Sequence, residues 1–430
     1  MLHEFEFHGA MYHVDCAALT SHSKSTGNRT SIVTQAANTA EMKPESDDCH
    51  IRTLELLVSQ QCNLACTYCY ANGGEYNAPG RMSFDTAKKA VDSLFQNSGP
   101  NEDLSVTFFG GEPLIEYLTI KKVIGYAQQL AAGNGKRVSF SITTNGLMLD
   151  SAKIAFFRDN SVDVMVSVDG DRETHDRQRP LKNGGGSSDL IFPKLAELLE
   201  AMPASPARAT IVNGARSPSE VKKSLHELGF RHTGLSVASG TLFDDVDIGA
   251  VNSQDMAGLL ENEAIHMLEL IKQRDAESLA TFDSSISSYV ADFLNGERSH
   301  YPCGAGRQML AVSADGDLFP CHRFVGVSKY RVGNLDDDNP VSLPVFDGSP
   351  IESSTQCSSC FAKYLCGGAC YHDNVTSTGS LLQPNPNFCA TVRRSFEMAA
   401  FVVANLTPED RQFFEDGNRE NAAQCKMDFF

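Results

Sequence analysis

Short apolar runs alternate with amphipathic stretches between residue 51 and about residue 240. The run Leu54-Glu55-Leu56-Leu57-Val58-Ser59 is typical of a buried strand, and the stretches between such runs have the apolar spacing of helices. Strands separated by helices indicate parallel β-α-β units, and six units form an α/β fold, an open, partial (β/α) barrel. We predict strands at 53–59, 104–110, 138–144, 163–168, 207–212 and 234–238, with helices at 83–95, 114–132, 151–159, 190–201 and 217–228.

The pattern changes on both sides of this region. Residues 1–20 predict a small hairpin with a turn at His8-Gly9, because apolar side chains alternate on either side of it. Residues 21–50 are rich in Ser, Thr, Asn and Ala without a period, which is typical of a loop or linker. Helical spacing returns at about 254–273 and 277–294, and again at Ser395–Ala404 before an acidic, mixed tail.

Three cysteines stand close together after the first predicted strand, in the stretch Gln61–Ala71. Cys62, Cys66 and Cys69 form a C-x3-C-x2-C array, and thiolates of this kind hold the irons of a cubane cluster. Three thiolates leave the fourth iron open to a small molecule. The alternative is structural zinc, which takes four closed ligands, commonly as pairs of cysteines. The trio favours an iron–sulfur cluster.

A second group of cysteines lies in the last third of the chain. Seven of them follow the pattern C-x12-G-x4-C, then C-x2-C-x5-C-x3-C, then a single cysteine. Four at 357–370 could also close a zinc site. The seven are Cys303, Cys321, Cys357, Cys360, Cys366, Cys370 and Cys389, whereas Cys16, Cys49 and Cys425 belong to no pattern.

Composition narrows the function classes. The net charge of −18 argues against a sequence-independent grip on nucleic acid, which needs clustered Lys and Arg. No apolar run reaches the length of a membrane span, and the N-terminus lacks the basic and apolar regions of an export signal. We therefore expect a cytoplasmic protein without membrane or nucleic-acid partners, whose thirteen cysteines serve as metal ligands more readily than as disulfides.

Polar turns follow three further predicted strands. Gly110-Gly111-Glu112-Pro113 ends the second, Thr143-Thr144-Asn145-Gly146 the third, and Ser167-Val168-Asp169-Gly170 the fourth. Each could be an ordinary turn, since Gly, Asn and Asp are common turn residues. In a barrel of parallel strands, however, the C-terminal strand ends carry the chemistry.

Together these motifs closely resemble the radical S-adenosylmethionine (SAM) enzymes over residues 51–390. The later cysteines resemble the SPASM extension, which carries two auxiliary [4Fe–4S] clusters in peptide-modifying members. The resemblance implies three [4Fe–4S] clusters and SAM as cofactors. The implied ligand sets are Cys62, Cys66 and Cys69 for the SAM cluster; Cys303, Cys321 and Cys370 for the first auxiliary cluster; and Cys357, Cys360, Cys366 and Cys389 for the second.

The resemblance also implies a SAM pocket. Glu112 is expected at the methionine amino group, Ser167 and Asp169 near the ribose or methionyl group, and Arg208 at the carboxylate, which a guanidinium binds in bidentate fashion. For Arg208 the alternative is an outward-facing ion pair. His175-Asp176-Arg177-Gln178-Arg179 resembles an H-D-x-x-R stretch of these enzymes, with a solvated charge cluster as the alternative. The predicted SAM-binding residues are Tyr68, Gly110, Gly111, Glu112, Asn145, Ser167, Asp169 and Arg208.

The implied activity is reductive cleavage of SAM to a 5′-deoxyadenosyl radical that attacks a bound peptide. Cys-Thr-Tyr-Cys-Tyr-Ala-Asn-Gly-Gly-Glu-Tyr and Tyr-Leu-Cys-Gly-Gly-Ala-Cys-Tyr-His-Asp resemble maturases that install thioether or carbon–carbon cyclophane cross-links in ribosomally made precursor peptides. The expected partners are that peptide and a flavodoxin- or ferredoxin-type electron donor. Two alternatives are a different radical enzyme, such as a sulfatase maturase or small-molecule dehydrogenase, and a non-catalytic iron–sulfur protein.

The corresponding domain prediction has five segments. The N-terminal one is either a truncated leader-peptide docking element or mere decoration. The segments are 1–50 hairpin and linker, 51–240 radical SAM partial barrel, 241–302 helical bridge, 303–392 SPASM domain, and 393–430 C-terminal helix and tail.

Overall fold

The computed structural model describes residues 2–16, 20–24, 49–213, 216–243, 253–284, 286–337, 343–346 and 350–422. Most of the predicted linker and Cys425 therefore lie outside the described residues. The described residues fall into two compact units. We call the part within Asp48–Val251 and Gly304–Asp347 the barrel unit, and the part within Met1–Asp47, Asn252–Cys303 and Gly348–Phe430 the helical unit.

Twelve strands occur among the described residues, and most predicted bounds agree with them to within one residue. Three short strands form a separate N-terminal sheet in the order β1-β2-β3, and nine form the barrel-unit sheet. The strands are β1 Leu2–Phe7, β2 Ala10–Asp15, β3 Thr20–Lys24, β4 Thr53–Ser59, β5 Asp103–Gly110, β6 Arg137–Thr144, β7 Val162–Ser167, β8 Ala207–Ile211, β9 Thr233–Val237, β10 Met309–Val312, β11 Asp317–Phe319 and β12 Gly333–Asn334.

The large sheet confirms the predicted α/β class. Strands β4 to β9 lie side by side in chain order, and each pairs in parallel with the next. At the other edge, β10 joins β4 in parallel and β11 and β12 follow antiparallel. The sheet thus contains the six predicted parallel strands and three later ones.

The helices follow the strands as the alternating pattern predicts. Short 3-10 turns at Pro113–Glu116, His322–Phe324 and Ser328–Tyr330 supplement them. The helices are α1 Phe84–Asn97, α2 Tyr117–Asn134, α3 Ser151–Asp159, α4 Arg172–Gln178, α5 Ser188–Ala201, α6 Pro218–Glu227, α7 Ser253–Gln273, α8 Ala276–Thr281, α9 Ser287–Asn295, α10 Pro350–Ser353, α11 Thr355–Ser358, α12 Lys363–Cys366, α13 Tyr371–Thr378, α14 Pro386–Ala404 and α15 Pro408–Ala422.

Local side-chain bonds explain many helix ends. Ser83 caps α1 by accepting the amide of Thr86, and Ser217 with Glu220 forms a capping box at α6. The prediction of one helix at 277–294 is wrong, because α8 ends at Thr281 and the chain restarts at α9. Between them Ser284 accepts the amide of Ile286, and serine side chains compete in this way with the helical backbone.

The two units have separate cores. In the barrel unit, alternate positions of β4 (Leu54, Leu56, Val58) face a buried layer of helix side chains. In the helical unit, α14 packs against α7 and α9 and buries Phe396 with Phe5 of the N-terminal sheet. No helix among the described residues is long and apolar enough to cross a membrane.

The structure changes the predicted extent of two elements, the N-terminal hairpin and the C-terminal helix. The hairpin is confirmed, with His8 and Gly9 both at positive φ in its turn, but β3 extends it to three strands. Helix α14 begins nine residues before the predicted Ser395, since Pro386 takes a first-turn position and Asn385 caps it. Residues 303–392 are divided between the units, and their role as one functional domain stays a prediction.

Candidate functional site

The cysteine loop follows β4 and is bound by two backbone hydrogen bonds to the end of α4 and the residues just after it. The amide of Ala65 donates to the carbonyl of Pro180 at 2.8 Å, and the amide of Thr67 donates to that of Gln178 at 2.9 Å. Leu64, which directly precedes Ala65, is buried. The backbone therefore fixes where the three thiols are presented.

The thiols of the loop suit metal-bound sulfur better than free thiolate. Burial raises the pKa of Cys62 to about 11 and that of Cys66 to about 12. Yet N–H donors face the sulfur of Cys62, from the Leu64 amide at 3.5 Å and Asn145 Nδ2 at 3.8 Å. A coordinated thiol is deprotonated outright, and N–H donors stabilise such sulfur. The donor set thus fits an iron–sulfur cluster.

A site for a single metal ion would need three or more ligand side chains that converge on one point. Within the part of the chain that the structure describes, no three His, Cys, Asp or Glu side chains are placed to hold one metal ion. In a cubane each thiolate binds a different iron, so its ligands need not converge on one point. The ligand sets stay predictions.

The Gly110-Gly111 turn lies against the cysteine loop. A Cβ on Gly111 would come within 2.5 Å of the Gln61 carbonyl oxygen and 2.6 Å of the Gly74 oxygen. Gly74 has the same constraint, since its Cβ would come within 2.6 Å of the Cβ of Cys62. Close packing therefore accounts for Gly111 and Gly74. The predicted contact of Gly110 and Gly111 with SAM stays a prediction.

Glu112 is fully buried and holds three hydrogen bonds from its own chain. Its Oε1 accepts the Leu114 amide at 3.0 Å and the Thr144 hydroxyl at 2.7 Å. Among the described residues, Oε2 accepts only the Asn145 amide, at 2.8 Å. A carboxylate offers about four lone-pair positions. Burial raises the pKa of Glu112 to about 6 despite these bonds.

The remaining predicted SAM residues lie at neighbouring strand ends. Asn145 also donates to Asn63 Oδ1 at 2.7 Å, which clamps the cysteine loop to the end of β6. Ser167 is the last residue of β7 and pairs in register with Arg208 of β8. The structure therefore places these residues at the ends of neighbouring strands of the sheet, while their contact with SAM stays a prediction.

Asp169 is at the centre of a buried polar network. Its Oδ2 accepts the Tyr68 hydroxyl at 2.6 Å and Arg179 Nε at 3.0 Å, and its Oδ1 accepts the Thr210 amide at 3.0 Å. Arg179 is only 7% exposed, so the alternative interpretation of this motif as a solvated charge cluster is wrong for this residue. His175 is also buried, and burial lowers its pKa to about 4. The network joins the cysteine loop to β8.

Sequence reasoning missed a second polar pair in the barrel unit. Glu55 of β4 is buried and accepts the His322 amide through Oε2 at 2.7 Å, while Oε1 lies 2.7 Å from His322 Nδ1. The Phe109 ring lies 4.3 Å from the imidazole, centroid to centroid. The available signal was one carboxylate within an otherwise apolar strand, because a buried charge needs a partner.

In the helical unit, four predicted ligands line one cavity. Cys357, Cys360, Cys366 and Cys389 surround it together with Arg393. Burial raises the pKa of Cys389 to about 11.

The turn after Cys366 adds amide donors to this cavity. The amides of Gly368 and Ala369 donate to the Cys366 sulfur. Gly367, Gly368 and Ala369 all have positive φ, and a Cβ on Gly367 would overlap the Tyr301 carbonyl. Four thiols, amide donors and a cation suit a bound iron–sulfur cluster.

The other cysteines are placed separately. Cys321 precedes a 3-10 turn of the barrel unit, whereas Cys303 and Cys370 belong to the helical unit. Their joint ligation of a first auxiliary cluster stays a prediction. Cys16 is buried and free, with its pKa raised to about 11 by burial.

Comparisons with known proteins match this geometry. The sequence model of the Radical SAM superfamily matches residues 56–240. The chain is 23% identical over 365 residues to the cysteine-type anaerobic sulfatase-maturating enzyme of Clostridium novyi, covering 81% of this chain and 95% of that protein.

Solved structures show the same fold. One, described as native anSMEcpe with bound AdoMet and Cp18Cys peptide, has a TM-score of 0.66 at 22% identity, covering 86% of this chain and 99% of that one. Streptococcus suis SuiB bound to precursor peptide SuiA has a TM-score of 0.52 at 17% identity, covering 77% and 74%.

The α/β core, the cysteine loop and the superfamily match over residues 56–240 indicate an enzyme that acts by radical chemistry, and the chain is similar to sulfatase-maturating enzymes. The match to the Radical SAM superfamily implies a [4Fe–4S] cluster and SAM as cofactors.

Proposed function

We propose that this enzyme installs a cross-link, either a thioether or a carbon–carbon cyclophane bond, in a ribosomally synthesised precursor peptide. The cavity lined by Cys357, Cys360, Cys366 and Cys389 carries the proposal, because it offers a cluster site in addition to the SAM cluster loop. The resemblance associates such auxiliary clusters with peptide modification. Two structural neighbours hold peptides, which supports a peptide partner.

Three clusters are proposed in total. Cys62, Cys66 and Cys69 would hold the SAM cluster, and the four cavity cysteines the second auxiliary cluster. The first auxiliary cluster would take Cys303, Cys321 and Cys370, with its fourth ligand open. When bound, the SAM cluster would supply an electron, and SAM would supply the organic radical that forms when it receives that electron.

The chain's own share is binding, orientation and shielding. Glu112 has free acceptor capacity at Oε2, which suits a ligand ammonium group. A ligand amine needs the ionised carboxylate, and the raised pKa makes that form dominant only above about pH 6. Arg208 and Ser167, adjacent in the β7–β8 register, would face the carboxylate and ribose of SAM. A flavodoxin- or ferredoxin-type donor in the cytoplasm would supply electrons.

A second candidate is oxidation of a cysteine or serine to an aldehyde, as in the curated sulfatase maturases to which the chain is similar. One feature of the sequence counts against it. Sulfatase maturases resemble this pattern but carry a further cysteine shortly after the position of Cys303, where this chain reads Gly-Ala-Gly-Arg-Gln-Met-Leu.

Mass spectrometry of a treated peptide separates the two candidates. The reconstituted enzyme is incubated anaerobically with SAM, a reductant and, as the candidate substrate, any small peptide found to be encoded beside its gene. A cross-link removes two hydrogens, joins two residues in fragment spectra and gives no reaction with a hydrazide. An aldehyde reacts with the hydrazide and leaves the residues unlinked, which would replace the first candidate by the second. A Cys→Ser peptide then distinguishes thioether from cyclophane formation.

A further inference from the structure

The guanidinium of Arg179 lies beside a cysteine of the SAM cluster loop. Arg179 Nη1 donates to Cys66 Sγ at 3.9 Å, and its side chain is only 8% exposed. The same guanidinium lies 5.3 Å from the centre of the Tyr68 ring. A cation therefore faces a predicted cluster ligand in a site that water screens little.

The orientation of this guanidinium is fixed by its partners. Arg179 Nε is bound to Asp169 Oδ2 at 3.0 Å, and the Asp169 side chain is fully buried. The Tyr68 hydroxyl and the Thr210 amide hold the carboxylate from two other sides. Asp169 thus positions Arg179, and Nη1 is left to face the sulfur.

The two arginines within α4, the helix that ends one residue before Arg179, differ from it. Arg172 pairs with Asp189, and Arg177 lies 4.0 Å from Glu173; both side chains are more than half exposed. Neither has a hydrogen bond to cysteine sulfur among the described contacts, whereas Arg179 has one. The helix therefore supplies a matched exposed arginine two residues from the buried one.

We propose that Arg179 raises the reduction potential of the cluster bound by Cys62, Cys66 and Cys69, with Asp169 as its positioning residue. Reduction adds negative charge to a cluster, and a cation with an N–H···S bond stabilises the more negative state. The inference rests on the proposed ligation of that cluster. It assigns the buried pair a redox function as well as a structural one.

An electron paramagnetic resonance (EPR) redox titration of the full-length, anaerobically reconstituted protein tests this. The signal of interest is the part that disappears when Cys62, Cys66 and Cys69 are all replaced by Ala. In Arg179→Met we expect at least a tenfold lower ratio of reduced to oxidised cluster at the wild-type midpoint, which is about 59 mV for one electron. Arg177→Met should leave the midpoint unchanged, because its charge is exposed and screened.

Two further variants separate charge from folding. Arg179→Lys keeps the charge and should restore part of the shift. Arg179→Met/Asp169→Asn removes both charges, so the carboxylate is not left unpaired, and should shift the midpoint less than Arg179→Met alone. A wild-type midpoint in all three Arg179 variants that retain iron would overturn the inference. If the triple-Ala variant instead keeps all its iron, the ligation itself is wrong.

Discussion

Replacing Gly111 by Ala distinguishes two reasons for its presence: contact with SAM, or close packing of the protein backbone. The structure supports packing, because a Cβ would meet three backbone atoms, the Gln61 oxygen at 2.5 Å and the Gln61 carbon and Gly74 oxygen at 2.6 Å. An ordinary contact begins near 3.4 Å, so the overlap is 3.4 − 2.5, or 0.9 Å. Backbone cannot rotate away as a side chain can.

Overpacking of this kind typically costs about 1–3 kcal/mol, and three backbone overlaps place Gly111→Ala near the upper value. For a folding unit of about 150–250 residues, which is the size range of the barrel unit, each kcal/mol of destabilisation lowers Tm by about 2–4 °C. We therefore expect Tm to decrease by about 6–12 °C. Because Gln61 directly precedes Cys62, the variant should also retain less iron after reconstitution.

Thermal unfolding of the metal-free protein without SAM is the measurement. Gly125→Ala is the control: Gly125 lies within α2, and its Cβ would meet nothing within 4 Å. Ala is favoured over Gly inside helices by roughly 0.5–1 kcal/mol, so the control should melt slightly higher than wild type. A Gly111→Ala protein that melts with wild type and retains its iron, but binds SAM weakly, would refute the packing argument.

Two other predictions concern metal and charge. Reconstituted protein should bind about twelve irons in three cubanes, and the Cys62/Cys66/Cys69→Ala variant about eight; zinc with little iron in anaerobically purified protein would contradict this. Glu112→Ala should weaken SAM binding in calorimetry and leave the iron content unchanged. The affinity of the wild-type protein for SAM should increase as pH rises through about 6, where Glu112 ionises. If the substitution leaves the affinity unchanged, Glu112 has a structural role and does not bind SAM. The raised pKa also means that the native state binds more protons than the unfolded state between about pH 4.5 and 6, so this group's contribution to stability falls by roughly 2 kcal/mol as pH rises through that window.

Local pattern was sufficient to predict the six parallel strands β4 to β9 of the barrel-unit sheet. Strand β4 matches its prediction at both ends, since a run of buried apolar residues bounded by polar ones has few alternatives. Pattern failed where side chains compete with the backbone, as at Ser284, and where a proline begins a helix, as at Pro386.

The site was predictable by residue more than by role. The family resemblance selected Asp169 and Arg179, but their contacts with Tyr68 join residues that are distant in sequence. Glu55 and His322 are 267 positions apart, and no local pattern links them. Gly111 was predicted as a ligand contact, which stays a prediction, and the structure adds its close backbone packing. Such roles depend on tertiary contacts that periodicity does not encode.

The most direct measurement of the central claim is release of 5′-deoxyadenosine from SAM by the reconstituted protein under anaerobic reduction. We expect the wild-type protein to release it and the Cys62/Cys66/Cys69→Ala variant to release none, although the variant keeps its other clusters. No release by iron-loaded wild type, or equal release by the variant, would contradict the assignment of this loop as the SAM-cleaving site.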